Sequence, residues 1–426
     1  MHPFYPLIAA VTLKREKGKS MKKLFIVFTI ILSLFVVASC SARKQPGQDI
    51  STEVQEPTKE YSISESNNRL SVALFKLIDK EHENLVFSSF SVSNALAMAA
   101  ETTEEEISNS IRKGLQLSND ITKIRDGYQA ILNKYKTPNE KYSLNIANAV
   151  WIDNKYELEP ARQQNIEEFY LGESLSFDNT QPKNAANRIN KWCDDKTEGM
   201  IDQIISEGDI TSLTHLVLAN AIYFKGSWQE EFNEKSTQKR TFYNSFKEES
   251  QVDFMHINGK FAYTEDENVQ VLEMRYKGGN FSMLIILPRD NDINSLKSNL
   301  TSELLAKWNE ELKTYKVDVH FPKFKFEYGA NLNKPLQEIG MERAFIPLSA
   351  NELYISTVLH KAIIDVNEKG TEAAAATAVA MATRMAGPIY ERREFNADHP
   401  FLFLIQENMT ENILFMGKVE TPKYED

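Results

Sequence analysis

The most constraining stretch of this sequence is Gly370-Thr371-Glu372-Ala373-Ala374-Ala375-Ala376-Thr377-Ala378-Val379-Ala380-Met381-Ala382-Thr383-Arg384. Alanine has the best helix propensity and Thr371 is a serviceable cap, so the local preference is helical. A helix built from it nevertheless has no apolar stripe with which to dock. At a period of two, positions 371, 373, 375, 377, 379, 381 and 383 are Thr, Ala, Ala, Thr, Val, Met and Thr, while Glu372 and Arg384 fall on the opposite face. No proline lies between 370 and 384, so no ladder donor is missing. The segment suits loop, helix and strand alike, and it can enter the middle of a sheet with one face against a core.

The rest of the chain supplies such sheets. Arg69 to Lys80 carries a helical apolar stripe, and Ser91 to Ala100 reads as a serine-capped helix after a short strand, Asn84 to Phe87. Tyr142 to Ile152 and His215 to Lys225 are dense enough in apolar residues to be strands buried on both faces. Ala185 to Asp195 is helical and ends in the turn Thr197-Glu198-Gly199. Further strands are expected at Val269 to Met274, Phe281 to Leu287, Lys316 to Phe326 and Ala362 to Val366, with a hairpin of Phe401 to Ile405 and Ile413 to Lys418 around Asn408-Met409-Thr410. Helices come first, strands dominate later, and no long linker intervenes, which points to one large α+β domain.

At 26% charged and 42% hydrophobic, the 426-residue chain is neither disordered nor a multi-spanning membrane protein. Its N-terminus is an address. Met21-Lys22-Lys23 precedes an apolar run from Leu24 to Val37, then Val37-Ala38-Ser39-Cys40. This is a secretory signal, too short to span a bilayer comfortably, and the cysteine after small residues resembles a bacterial lipobox whose thiol is acylated. Residues 1–39 are therefore read as an upstream extension and signal peptide, with Met21 the better start, residues 40–60 as a flexible tether, and 61–426 as the single folded domain. The expected location is the cell envelope, held by a lipid on Cys40, or outside the cell if the thiol is not lipidated.

Residues 1–39 carry six basic side chains and one acidic, leaving 43 basic against 59 acidic beyond them. Nucleic acid is not a fitting partner for so negative a chain. With Cys40 used as a processing site, Cys193 has no partner, and packing has to hold the core.

Catalytic signatures are missing: no Gly-x-Ser-x-Gly, no His-Glu-x-x-His, no Cys-x-x-Cys and no phosphate-binding glycine loop. The seven histidines (2, 82, 215, 256, 320, 360 and 399) are scattered, none at metal-ligand spacing from another. Neither a metal nor a cofactor is expected, and the protein is not read as an enzyme.

Specific blocks resemble the serpins, in that family's order and over roughly Arg69 to Pro422. They include Leu144-Asn145-Ile146-Ala147-Asn148-Ala149, Ile189-Asn190-Lys191-Trp192 with Thr197-Glu198-Gly199, and Asn220-Ala221-Ile222-Tyr223-Phe224-Lys225-Gly226-Ser227-Trp228. Val271-Leu272-Glu273-Met274, Met283-Leu284-Ile285-Ile286-Leu287-Pro288, Phe321-Pro322-Lys323-Phe324-Lys325 and His360-Lys361-Ala362 follow. Asn367-Glu368-Lys369-Gly370-Thr371-Glu372-Ala373, Ala397-Asp398-His399-Pro400-Phe401 and Phe415-Met416-Gly417-Lys418-Val419 complete the set. The resemblance implies the serpin fold, α+β with three β-sheets, eight or nine helices and an exposed reactive-centre loop, which is the ambivalent segment above.

It also implies a suicide-substrate inhibitor of serine endopeptidases, with cysteine endopeptidases as a further class. The protease cleaves one loop bond, and the freed loop inserts into the central sheet before the acyl-enzyme is hydrolysed. Gly370, Thr371, Glu372, Ala373, Ala374, Ala375 and Ala376 would be the hinge. Seventeen residues counted from Glu368 end at Arg384, which sets the reactive bond at Arg384-Met385 and favours a trypsin-like partner; a slip of register puts Thr383 or Met385 before the bond. Ser88, Ser91, Asn220 and His360 resemble the polar cluster where strands part, and Trp228, Lys323 and Glu368 the point of first insertion, with a Lys323–Glu368 ion pair.

Two departures stand out: Ser89 replaces the family's usual proline, and Ala99 to Glu104 lacks the usual glycines. No heparin-binding basic helix is present, and a monomer is expected. The alternative within the family is a non-inhibitory member serving as a binding or chaperone-like surface protein.

Overall fold

The computed structural model describes residues 60–136, 141–349, 352–371 and 390–424. Ser62 opens helix α1 (Ile63–Ile78) through a capping box, its hydroxyl accepting the Glu65 N–H at 3.2 Å and the Glu65 carboxylate accepting its own N–H at 2.9 Å. Strand β1 (Leu85–Phe87) leads into α2 (Ser89–Thr102), capped by Ser88 and buried along its whole length. Helices α3 (Glu105–Gly114), α4 (Ile121–Lys136), α5 (Pro160–Tyr170), α6 (Pro182–Lys196), α7 (Ile293–Asn299), α8 (Ser302–Glu311) and the single turn α9 (Asn333–Leu336) bring the α-helices among the described residues to nine. None of these is long and apolar enough to cross a membrane.

The remaining strands are β2 (Tyr142–Asp153), β3 (Glu173–Phe177), β4 (Leu216–Ser227), β5 (Gln238–Tyr243), β6 (Glu249–Glu265), β7 (Val269–Arg275) and β8 (Phe281–Pro288). After α8 come β9 (Lys313–Pro322), β10 (Phe324–Asn331), β11 (Thr357–Asn367), β12 (Gly370–Thr371), β13 (Arg392–Asn396), β14 (Phe401–Glu407) and β15 (Ile413–Val419).

One sheet runs β10-β11-β12-β4-β2-β3, with β11 also paired directly to β4. Strands β2 and β4 are buried on both faces, as their apolar density predicts. Leu216, Leu218, Ile222 and Phe224 of β4 enter the main core, while Val217, Ala219 and Ala221 enter a second core with Ala185, Ile189, Trp192 and Cys193 of α6. Cys193 is buried and free, and burial pushes its thiol up to about 12.

The other sheet runs β1-β15-β14-β8-β7-β6-β9-β13, with β5 on β6. Two of the three expected sheets share this one hydrogen-bonded path because β6 is 17 residues long. It pairs with β5 near its start, β9 through its middle and β7 at its end.

The stretch Lys316 to Phe326, read from sequence as one strand, is two strands in different sheets. In β9 the buried residues alternate at Val317, Val319 and Phe321, with Pro322 also buried at the strand's end; in β10 the buried parity moves to Phe324. A one-residue slip reverses which face is buried, so the chain has to break at Pro322-Lys323.

The pairing between β4 and β11 is incomplete. They run parallel from Val217–Thr357 to Ile222–Ala362. At the far end β12 enters between them, antiparallel to both: Thr371 faces Gly226 and Val366, and Gly370 faces Ser227 and Asn367. Among the described residues, Tyr223–Lys225 and Ile363–Asp365 have no strand on the edges that face each other, although both stretches pair outward, with β2 and β10.

Candidate functional site

Two polar clusters sit on the same pair of strands. Asn220 and His360 belong to one, Gly226 and Val366 border the other, so six residues separate them on each strand, roughly 20 Å.

At the upper cluster Gly370 has φ 154° and presses against β4. A Cβ there would lie 2.0 Å from the Gly226 carbonyl oxygen and 2.7 Å from Ser227 Cα, so only glycine fits. Thr371 is 2% exposed, and its hydroxyl pairs with the Tyr276 hydroxyl at 2.7 Å. Tyr276 stacks on Trp228 with ring centroids 4.6 Å apart. Trp228 donates its indole N–H to the Asn367 carbonyl at 3.0 Å and its backbone N–H to that of Lys369 at 2.8 Å. The turn from β11 to β12 is thus clamped before residue 372.

Glu368 lies in that turn. The Lys323 ammonium is 3.2 Å from its carboxylate, and the Thr237 hydroxyl donates to the other oxygen at 2.6 Å. Lys323 also sits over the Tyr424 ring at 4.2 Å. Trp228, Lys323 and Glu368 are therefore brought together, with the ion pair formed, and the pair is mostly shielded from water.

At the lower cluster His360 Nε2 accepts the Ser88 backbone N–H at 3.0 Å, so the ring proton is on Nδ1, which donates to Asn220 Oδ1 at 2.5 Å. Burial holds this imidazole neutral, pushing its pKa down to about 3. The Asn220 amide nitrogen donates to the Ser91 hydroxyl and to Asn148, and Ser91 donates to Asn148 at 3.0 Å. The Ser88 hydroxyl caps Ser91 N–H at 3.2 Å. Ser89, the departure from proline, occupies the first turn of α2, where proline is tolerated, and its hydroxyl bonds to that of Ser71.

Ser88, Ser91, Asn220 and His360 are thus one network, tying α2 to β4 and β11. Gly370 and Thr371 are placed at its upper counterpart. Glu372, Ala373, Ala374, Ala375, Ala376, Thr383, Arg384 and Met385 lie outside the described residues, as does Cys40.

Sequence reasoning missed Asn148 and Tyr276. Asn148 pairs across the ladder with Asn220, and two asparagines inside otherwise apolar strands were the available signal. Tyr276 falls in Tyr276-Lys277-Gly278, a block that also resembles the family, but its role depends on Thr371 arriving from 95 residues away.

Both ring nitrogens of the sealed His360 are taken, by the Ser88 N–H and by Asn220 Oδ1, so neither faces a nucleophile among the described residues. The buried Asp153–His215 pair, 3.1 Å apart, also lacks one, since the Ser356 hydroxyl accepts the backbone N–H of His215 instead of facing its ring. What the geometry provides is a buried seat for Gly370 and Thr371 between β4 and β11, above a pairing that stops short.

The family model described as Serpin (serine protease inhibitor) matches residues 65–422. An uncharacterized serpin-like protein of Methanosarcina acetivorans is 37% identical over 377 residues, covering 86% of this chain and 88% of that protein. The leukocyte elastase inhibitor of Bos taurus is 35% identical over 382 residues, 84% of this chain and 99% of its own. The native-state structure of the thermophilic serpin tengpin superposes with a TM-score of 0.76 at 28% identity, covering 88% of this chain and 99% of that one. The chain belongs to the serpin family.

Proposed function

We propose that the protein is a suicide-substrate inhibitor of serine endopeptidases, trypsin-like enzymes above all, with cleavage at Arg384-Met385. The observation that carries this reading is the seat of Gly370 and Thr371 between β4 and β11, directly above strand edges with no described partner. Kinship with a leukocyte elastase inhibitor supports the inhibitory class.

The protease serine oxygen adds to the Arg384 carbonyl carbon, the Arg384–Met385 amide bond breaks, and the Met385 amine takes the proton and leaves. The acyl ester is then attached to a strand free to move. In the inserted state, continuing the register of Thr371 would set Ala373 opposite Phe224 and Ile364, Ala375 opposite Ile222 and Ala362, and Thr377 opposite Asn220 and His360. The small side chains at 373 and 375 fit beside the large ones already there. Thr377 would arrive where Asn220 and His360 now bond to each other, so insertion has to break that contact and offers a hydroxyl in its place. The pairing from Val217–Thr357 to Ile222–Ala362 must separate to admit the strand.

An acyl group on Cys40 anchors the protein at the cell envelope, residues 41–60 act as tether, and the inhibitor works as a monomer.

The test is incubation with trypsin followed by denaturing electrophoresis and mass spectrometry of the released fragment. A covalent complex with a fragment beginning at Met385 is expected. Cleavage at that bond without a complex would overturn inhibition and leave a non-inhibitory member. Thr371→Arg, which puts a charge in a buried seat at a cost of several kcal/mol (about 3 or more), should turn inhibitor into substrate.

A further inference from the structure

The histidines look unrelated in sequence, yet the ladder between β6 and β9 places His256 directly opposite His320. Their rings stack with centroids 4.5 Å apart and planes 13° from parallel. Asp318, two residues before His320, points from the same face. Its carboxylate accepts from His256 Nε2 at 2.8 Å and from the Asn258 amide at 3.1 Å, while His320 Nε2 lies 3.9 Å from its second oxygen. One ligand atom from each of the three residues falls within 4.8 Å of the others. All three remain partly open to water.

We propose that His256, Asp318 and His320 form a binding site for one divalent transition-metal cation of the zinc class. Two imidazoles and one carboxylate are the donor set that such ions favour, and magnesium and calcium do not. The cation takes the position now held by the proton shared between His256 and Asp318, with small side-chain shifts drawing the three donors to coordination distance, and water completes the shell.

The surroundings fit. The Asn258 amide, donating to Asp318 at 3.1 Å, holds the carboxylate beside both rings. Arg240 opposes an incoming cation; Glu394, which faces Asp318 from β13, offsets it. The site also has a place in the fold. It staples β6 to β9, and β9 is the strand on which β13 pairs as the chain returns from residue 389.

The test is calorimetric titration of the chelator-treated full chain with zinc chloride, with magnesium chloride as control. Saturable binding of one zinc per chain, absent with magnesium and weakened at least about tenfold in His256→Ala and in His320→Ala, is expected. A measurement on the unaltered protein guards against misfolded variants: substoichiometric nickel should broaden the ring proton resonances of His256 and His320 before those of His82 and His399. No zinc binding, binding unchanged in both variants, or broadening that spares both rings would overturn the proposal and leave a hydrogen-bonded His–Asp–His cluster.

Discussion

The Nε2 atom of His360 receives the backbone N–H of Ser88 at 3.0 Å, which makes the N-terminus of α2 a fixed partner of β11. A proton cannot be added at Nε2 without removing that contact and charging a fully enclosed ring.

Acid sensitivity follows with a definite sign. The His360 pKa falls from an ordinary 6.5 to about 3 in the folded protein. Between these values the unfolded chain binds a proton that the native one refuses. The contribution is complete above pH 6.5 and shrinks as pH falls toward 3, by about 1.4 kcal/mol per pH unit. His360→Gln should flatten the pH dependence of the unfolding midpoint between pH 6 and pH 4 by close to one proton's worth. Identical slopes in the two proteins would refute this.

The seat at Gly370 admits no side chain. Gly370→Ala should lift the turn off β4 and cost about 1–3 kcal/mol. Hydrogen exchange at Thr371 and Gly226 reads the change directly, since both amides lie in the β12 pairing. Unaltered protection would show that the backbone can yield there.

Removing the Tyr276 hydroxyl is a gentler probe. Tyr276→Phe keeps the stacking on Trp228 but leaves the Thr371 hydroxyl without its buried partner, a loss of about 1 kcal/mol. Thermal midpoint and the stoichiometry of protease inhibition should both shift, the second because the proposed mechanism starts insertion at this seat.

Glu368→Gln should cost more than replacement of both members of its pair. The single change strands the Lys323 ammonium beside Tyr424 in a largely shielded position, for about 1–3 kcal/mol. A cycle with Lys323→Met isolates the coupling. Additive losses would mean the pair is no more than a surface contact.

Arg384→Glu tests target choice. A carboxylate offered to an acidic primary pocket should slow trypsin inhibition at least about a hundredfold, while thermal stability stays as it was. An equal rate would move the reactive bond to another residue.

How far these features were legible depended on where each residue's partners lie. Strands β2 and β4 were readable because both faces are buried over most of their length and most of their residues are apolar. Strand β6 was not, because exposed Gln251 and Asn258 and half-buried Asp253 interrupt its pattern and it changes partners twice along its length. The break at Lys323 was written in the parity change between Phe321 and Phe324, which the dense run of apolar residues on either side of it hid. At the candidate site, Ser88, Ser91, Asn220 and His360 were found through motif resemblance. Asn148 and Tyr276 needed the ladder itself, since nothing local distinguishes a tyrosine that holds a threonine from one that merely packs.

Cys193, closed off between α6 and the far face of the sheet that holds β4, gives the molecule a built-in gauge of its own motion. Its thiol can meet a water-borne alkylating agent only when helix and sheet draw apart. The labelling rate before, during and after proteolysis therefore times that excursion without any engineered probe. A rate that surges on cleavage and then collapses would trace a brief parting followed by a tighter closure.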